Sequence, residues 1–111
     1  MRAETRPWGR FEVLFESRAF WLKKLIISPG QSLSLQYHQN REETWITEDN
    51  DVLIQVGEWR TLMNPNSPYT IARGAKHRIS NTGQVEVTVI EWATGRPNES
   101  DIIRIEDNYG R

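Results

Sequence analysis

The stretch Gly30-Gln31-Ser32-Leu33-Ser34-Leu35-Gln36-Tyr37-His38-Gln39-Asn40-Arg41-Glu42-Glu43 decides how this chain is read. A turn residue opens it. Residues 33–38 then alternate, which predicts an extended strand with Ser34, Gln36 and His38 on one face and Leu35 and Tyr37 on the other. Same-face neighbours on a strand bring the Gln36 amide and the His38 imidazole within reach of one ion. Gln39-Asn40-Arg41 reads as a polar turn. Glu43 begins the next strand and shares the parity of Trp45, so its carboxylate is expected to face the same interior. A later segment, Arg73-Gly74-Ala75-Lys76-His77-Arg78-Ile79-Ser80-Asn81, carries the other histidine. An amide oxygen, two imidazoles and a carboxylate suit Zn²⁺, Fe²⁺, Mn²⁺, Co²⁺ or Ni²⁺ and leave coordination positions open for substrate. On the residues alone the alternative is a set of ordinary solvated side chains, because two histidines are no motif by themselves.

Working outward, short apolar or alternating runs recur at 11–15, 20–27, 33–38, 43–47, 52–56, 59–63, 69–71, 77–80, 85–92 and 102–105. Turn residues separate them, among them Ser28-Pro29-Gly30, Glu48-Asp49-Asn50-Asp51 and the Pro-containing loop at 64–68. No segment holds a helical period. The pattern predicts an all-β barrel or double-sheet jelly roll. An immunoglobulin-type sandwich is the rival, but the chain has no cysteine for its disulfide. Trp8, Trp45 and Trp92 are expected in the core, and Trp59, beside Arg60 in a short strand, is open between core and interface. Lys23 shares parity with Trp21, Leu25 and Ile27, so it is expected to face inward, where it would serve a bound phosphate. The alternative is that Lys23 and Lys24 both snorkel at an edge. Arg78, next to His77, is expected to point the other way and act structurally.

The chain has 111 residues, which suits one domain over 1–111. With 14 basic and 15 acidic side chains, no net field invites nucleic acid or an anionic membrane. The absence of cysteine removes disulfides and thiolate metal sites and fits a reducing compartment. No run is suited to a signal peptide or a membrane span, so a cytoplasmic protein is expected.

The spacing resembles the cupin superfamily. Gly30, Gln36, His38 and Glu43 fall on its first motif, and Arg73, Gly74, His77 and Asn81 fall on its second, with Ala72 in place of the usual proline. Three further blocks are similar to the cupin domain of bacterial mannose-6-phosphate isomerases, which often follows a guanylyltransferase domain. They are Arg6-Pro-Trp-Gly-Arg-Phe-Glu-Val-Leu14, the group Leu33 to His38 with Arg41, Glu43 and Trp45, and Asp101-Ile-Ile-Arg-Ile-Glu-Asp-Asn-Tyr-Gly-Arg111.

The resemblance implies an all-β cupin jelly roll, or double-stranded β-helix, that pairs as a homodimer. It implies a divalent ion, zinc first, held by Gln36, His38, Glu43 and His77. The implied reaction interconverts mannose 6-phosphate and fructose 6-phosphate through an enediolate. A sugar phosphate is then the partner, anchored by Arg104 and Arg111 with Lys23. The blander expectation for Arg104 is an ion pair with Glu106. The general base is not named by the resemblance; Glu42, another acid brought near by folding, or a hydroxide on the metal are the options. Gln39, Asn40 and Thr44 stand where the family usually has further histidines, and Asn50 stands for a turn glycine, a left-handed position that Asn tolerates. The lost histidines motivate one alternative function, a non-catalytic cupin that binds a sugar or nucleotide sugar. His38, Glu43 and His77 taken alone motivate another, an iron-dependent oxygenase.

Overall fold

The alternating runs fold as antiparallel strands whose apolar faces meet across one core. The computed structural model describes residues 2–96 and 101–109, and every regular element among them is a β-strand. In chain order these are β1 (Arg2–Arg6), β2 (Gly9–Glu16), β3 (Phe20–Ile27), β4 (Leu35–Tyr37), β5 (Arg41–Thr47), β6 (Val52–Val56), β7 (Trp59–Leu62), β8 (Tyr69–Ile71), β9 (His77–Asn81), β10 (Val87–Gly95) and β11 (Ile103–Glu106). One sheet has the order β1-β2-β3-β10-β5-β8 and the other β11-β4-β9-β6-β7. From β3 to β6 each strand lies in the sheet opposite its predecessor, and the same holds from β7 to β11. This is the winding of the expected jelly roll. No helix among the described residues is long and apolar enough to cross a membrane.

Trp8, Phe11, Leu25, Ile27, Trp45, Ile54, Ile79 and Val89 pack between the sheets. All but Trp8, which sits in the β1–β2 turn, come from the inward parity of their strands, so the period-2 pattern places most of the core directly. Asn81 ties the second motif to this core. Its amide donates to the Ile27 and Val85 carbonyls at 2.9 and 2.8 Å, and its side-chain oxygen accepts the Gly83 N–H at 2.9 Å.

Several expectations are corrected. β1 was not legible, because Arg2-Ala-Glu-Thr-Arg has no apolar alternation; it exists by pairing with β2 at a charged sheet edge. β4 keeps only three of the six expected residues. β10 begins at Val87, and Val85 is 71% exposed. Its inward residues are Val87, Val89, Glu91 and Ala93, which turns Trp92 to the outer face, half-buried, instead of into the core. Trp59 is 54% exposed on edge strand β7. The left-handed residue of the β5–β6 turn is Asp51, with φ 66°, and not Asn50.

Gly9 joins β1 to β2 with φ 151°, and a Cβ there would lie 2.0 Å from the Ile26 carbonyl oxygen. The obstacle is backbone of a central strand pair and cannot swing away. Gly9→Ala is therefore expected to destabilise the fold by roughly 3 kcal/mol, read as a lower urea midpoint with unchanged slope.

Candidate metal centre

The register of the strands brings the candidate ligands together. Gln36 on β4 is the Cα partner of His77, the first residue of β9, so both rise from one sheet. His38 follows β4 on the same face. Glu43 comes from β5 in the opposite sheet, paired between Ala93 and Ile71, and reaches inward to meet them. Glu43 Oε1 lies 3.2 Å from His38 Nε2 and 3.0 Å from His77 Nε2, and all three side chains are buried. The three ligand atoms lie within 4.8 Å of one another. Two donors that share one ion at about 2.1 Å sit about 3.0–3.4 Å apart, so the spacing is of the right size.

Hydrogen bonds set the direction of each imidazole. His77 Nδ1 is 2.8 Å from the Ala75 carbonyl and His38 Nδ1 is 2.6 Å from the Asp101 carbonyl. A carbonyl can only accept, so each ring donates from Nδ1, which leaves an Nε2 lone pair on the neutral ring. His77 Nε2 then faces Glu43 Oε1, acceptor against acceptor, and both atoms are buried without a hydrogen-bond partner. Such a pair needs a cation between its members, either a proton or a metal. A divalent ion satisfies His77, Glu43 and His38 at once, so the residues present fit one. Gln36 is buried beside them and its Oε1 accepts the Ser34 hydroxyl at 3.1 Å.

Arg41 belongs to the site although it reads as a turn residue in sequence. It is the first residue of β5 and is buried. Its Nε lies 3.2 Å from Glu43 Oε2, it donates to His38 Nε2 at 2.9 Å, and its guanidinium covers the Trp21 ring at 4.5 Å. A metal and Arg41 therefore compete for the same His38 lone pair. Burial by itself pushes the Glu43 carboxyl up, but hydrogen bonds from His38 and His77 when a proton sits on their facing edges, with the Arg41 charge, outweigh this. They hold it well below the usual carboxylate range.

The cleft above the centre is lined by Arg6, Lys23, Gln36, Arg41, Glu43, Glu91 and Arg104, with Trp8, Phe11 and Leu25 as an apolar wall. Lys23 faces inward as its parity requires, with its ammonium 3.6 Å from the Trp21 ring centre and 4.5 Å from that of Phe11. Arg104 stands on exposed β11 and lines the cleft, while Glu106 pairs with Arg78 instead, at 3.2 Å. Arg78 also donates to the Leu33 carbonyl and is structural, as expected. Arg111 lies outside the described residues. Glu42 is exposed on the outer face of β5 and does not reach the cleft. Gln39 and Asn40 are exposed too; their backbone N–H groups donate to the Asp101 carboxylate. Thr44 faces away from Glu43 and meets the Thr70 hydroxyl at 3.1 Å.

Glu91 is the second acid of this cleft, and parity was the signal that could have found it. It follows Val87 and Val89 at an inward position of β10. Burial first, then the negative charge of Glu43, push its carboxyl up to about 7, against the pull of Lys23, Arg41 and the Trp45 N–H. The unfolded chain releases this proton near 4.5. The folded state thus holds the proton more tightly, and the stability that it contributes is complete below 4.5 and lost as pH rises through about 7. Glu43, shifted downward, acts only in a more acidic window. In metal-free protein, urea unfolding from pH 5 to pH 8 is expected to lose on the order of 3 kcal/mol through this group. Glu91→Gln should abolish that slope; parallel curves for both proteins would show that Glu91 does not carry it.

The chain matches the family described as mannose-6-phosphate isomerase C-terminal over residues 2–107. It is similar to xanthan biosynthesis protein XanB of Xanthomonas campestris pv. campestris, 36% identical over 107 residues that cover 96% of this chain and 23% of XanB. It is also similar to a mannose-1-phosphate guanylyltransferase of Klebsiella pneumoniae, 35% identical over 107 residues, with 96% and 23% covered. The chain thus spans about a quarter of the length of these curated relatives. Among solved structures it superposes on the capsular polysaccharide assembling protein CapF of Staphylococcus aureus with a TM-score of 0.82 at 17% identity, covering 95% of this chain and 34% of CapF. On the cupin domain of Schizosaccharomyces pombe Cnp3 the TM-score is 0.73 at 15% identity, with 78% and 64% covered. The structural likenesses show the cupin fold, and the sequence match shows descent: the chain belongs to the mannose-6-phosphate isomerase C-terminal family.

Proposed function

We propose that this chain is a metal-dependent sugar-phosphate isomerase that interconverts mannose 6-phosphate and fructose 6-phosphate. The observation that carries the reading is the buried opposition of Glu43 Oε1 and His77 Nε2, with Glu43 also lining a cleft that holds Lys23, Arg41 and Arg104. His38, Glu43 and His77, with Gln36 beside them, would hold the ion, and zinc suits imidazole and carboxylate donors. When bound, the ion supplies Lewis-acid polarisation of sugar oxygens.

The chain's own residues account for the rest. Arg104 presents a planar fork at the cleft, the geometry that grips a phosphate bidentately, and Lys23 adds a buried positive charge. Negative charge that builds on the sugar oxygens during enolisation is met by Arg41 and Lys23 in a site of low dielectric. Trp8 and Phe11 wall off water from one side. The residues that replace family histidines, Gln39, Asn40 and Thr44, have side chains turned away from the centre, which supports catalysis over binding alone.

A coupled assay for fructose 6-phosphate, run with Zn²⁺, Co²⁺ or Mn²⁺ added, is expected to show turnover. No product from any hexose phosphate in a metal-loaded protein would end this reading. Metal content of His77→Ala is expected to fall at least about tenfold below wild type, because one ligand and the partner of Glu43 are lost together; equal content would exclude the site. Arg104→Ala should raise KM about 10- to 100-fold with a smaller change in kcat, the loss of a charged hydrogen bond made in ground and transition states alike.

A further inference from the structure

The cleft holds a buried carboxylate that the ligand set does not use. Glu91 is 6% exposed, and its two oxygens accept from two indoles, Trp21 Nε1 at 3.1 Å and Trp45 Nε1 at 2.9 Å. The indoles stand on β3 and β5, the strands on either side of β10, so the carboxyl group is held from both flanks. Each oxygen has acceptor capacity beyond its one indole bond. On this face the alternation of β10 otherwise places the apolar Val87, Val89 and Ala93.

We infer that Glu91 is the catalytic base that carries the proton between C1 and C2 of the bound sugar phosphate. The inference rests on the isomerase reading above. Two carboxylates line the cleft among the described residues, Glu43 and Glu91. Glu43 turns Oε1 to the two imidazoles, where an ion would sit, and Oε2 to Arg41, and Asp101 is bound to the turn at Gln39 and Asn40. Glu91 is left, fixed in orientation and beside two cations.

The step balances on this one group. Glu91 takes the proton from C2 of the open-chain aldose; the C–H electron pair forms the C1=C2 double bond as the carbonyl π pair moves onto O1. The O2 hydroxyl proton passes to O1, the O2 electron pair rebuilds a carbonyl at C2, and the C1=C2 π pair takes the proton back from Glu91 at C1. No oxidant or reductant is consumed.

The test is the exchange of the C2 hydrogen of mannose 6-phosphate with D₂O, followed by proton NMR, in wild type and Glu91→Gln. Metal content and the affinity for a hexitol 6-phosphate, which cannot isomerise, are measured on the same samples. Exchange and kcat are expected to fall about 10²- to 10⁴-fold in Glu91→Gln, with KM, metal and hexitol phosphate binding kept within about threefold. Exchange within about tenfold of wild type overturns the assignment. So does a parallel loss of metal or hexitol phosphate binding, which would make Glu91 a packing residue. Trp21→Phe removes one indole bond and keeps the carboxylate; it is expected to lose only about tenfold, and a loss as deep as that of Glu91→Gln also overturns the base. A wild type that neither exchanges nor isomerises ends the isomerase reading and this inference with it, whereas equal exchange in wild type and Glu91→Gln ends the inference alone.

Discussion

Two acceptors forced together in a dry interior are the constraint on which the rest of this molecule turns. Glu43 Oε1 and His77 Nε2 lie 3.0 Å apart, and the carbonyl of Ala75 fixes the imidazole in the tautomer that points its lone pair at the carboxylate. An arrangement of this kind is unfavourable without a cation and favourable with one. Arg41 answers part of the demand by pairing with Glu43 Oε2, and a shared ion would answer the remainder. The site is thus built to hold positive charge, and it does so in a chain with a formal net charge of only −1.

Holding that opposition in place is the work of segments far apart in sequence. One sheet supplies His38 and His77 through the pairing of β4 with β9, while Glu43 crosses from the other. The C-terminal arm closes the ring of contacts. Asp101 accepts from the backbone of the β4–β5 turn with its carboxylate and from His38 with its carbonyl; Glu106 binds Arg78, and the Tyr109 hydroxyl donates to Gln31 at 2.6 Å. Without the arm His38 would lose the partner that sets its tautomer. The same arm brings Arg104 to the lining of the cleft, so the residue that sets the His38 tautomer and the cleft arginine share one structural element.

A second layer of polar residues lies beneath the first. Trp21 and Trp45 each combine two functions that an aromatic ring with a polar edge allows. Their faces and edges pack against Lys23, Arg41 and His77, and their N–H groups hold Glu91. Charges that would be costly singly are buried here as an alternating set, Lys23 and Arg41 against Glu43 and Glu91, with indole donors filling the lone pairs that remain.

Spacing within a strand was legible from the sequence, because the period of two is local. It placed Ser34, Gln36 and His38 on one face, turned Lys23 inward and pointed Arg78 away, all as found. Two motifs with a His in each were enough to bring His38, Glu43 and His77 together. The same rule applied to β10 would have exposed Trp92 and buried Glu91; hydrophobicity argued the reverse, and parity won because the neighbours Val87 and Val89 fill the core. Arg41 was not legible, since a residue at the end of a turn has no parity until the strand's first bond is known. Nor were the roles of Asp101 and the indoles, whose contacts span 63, 70 and 46 positions of chain. The sequence by itself determined which side chains share a face of each strand. Only the tertiary structure decided which faces meet, because hydrogen-bond register between strands distant in sequence sets where buried charges find their partners.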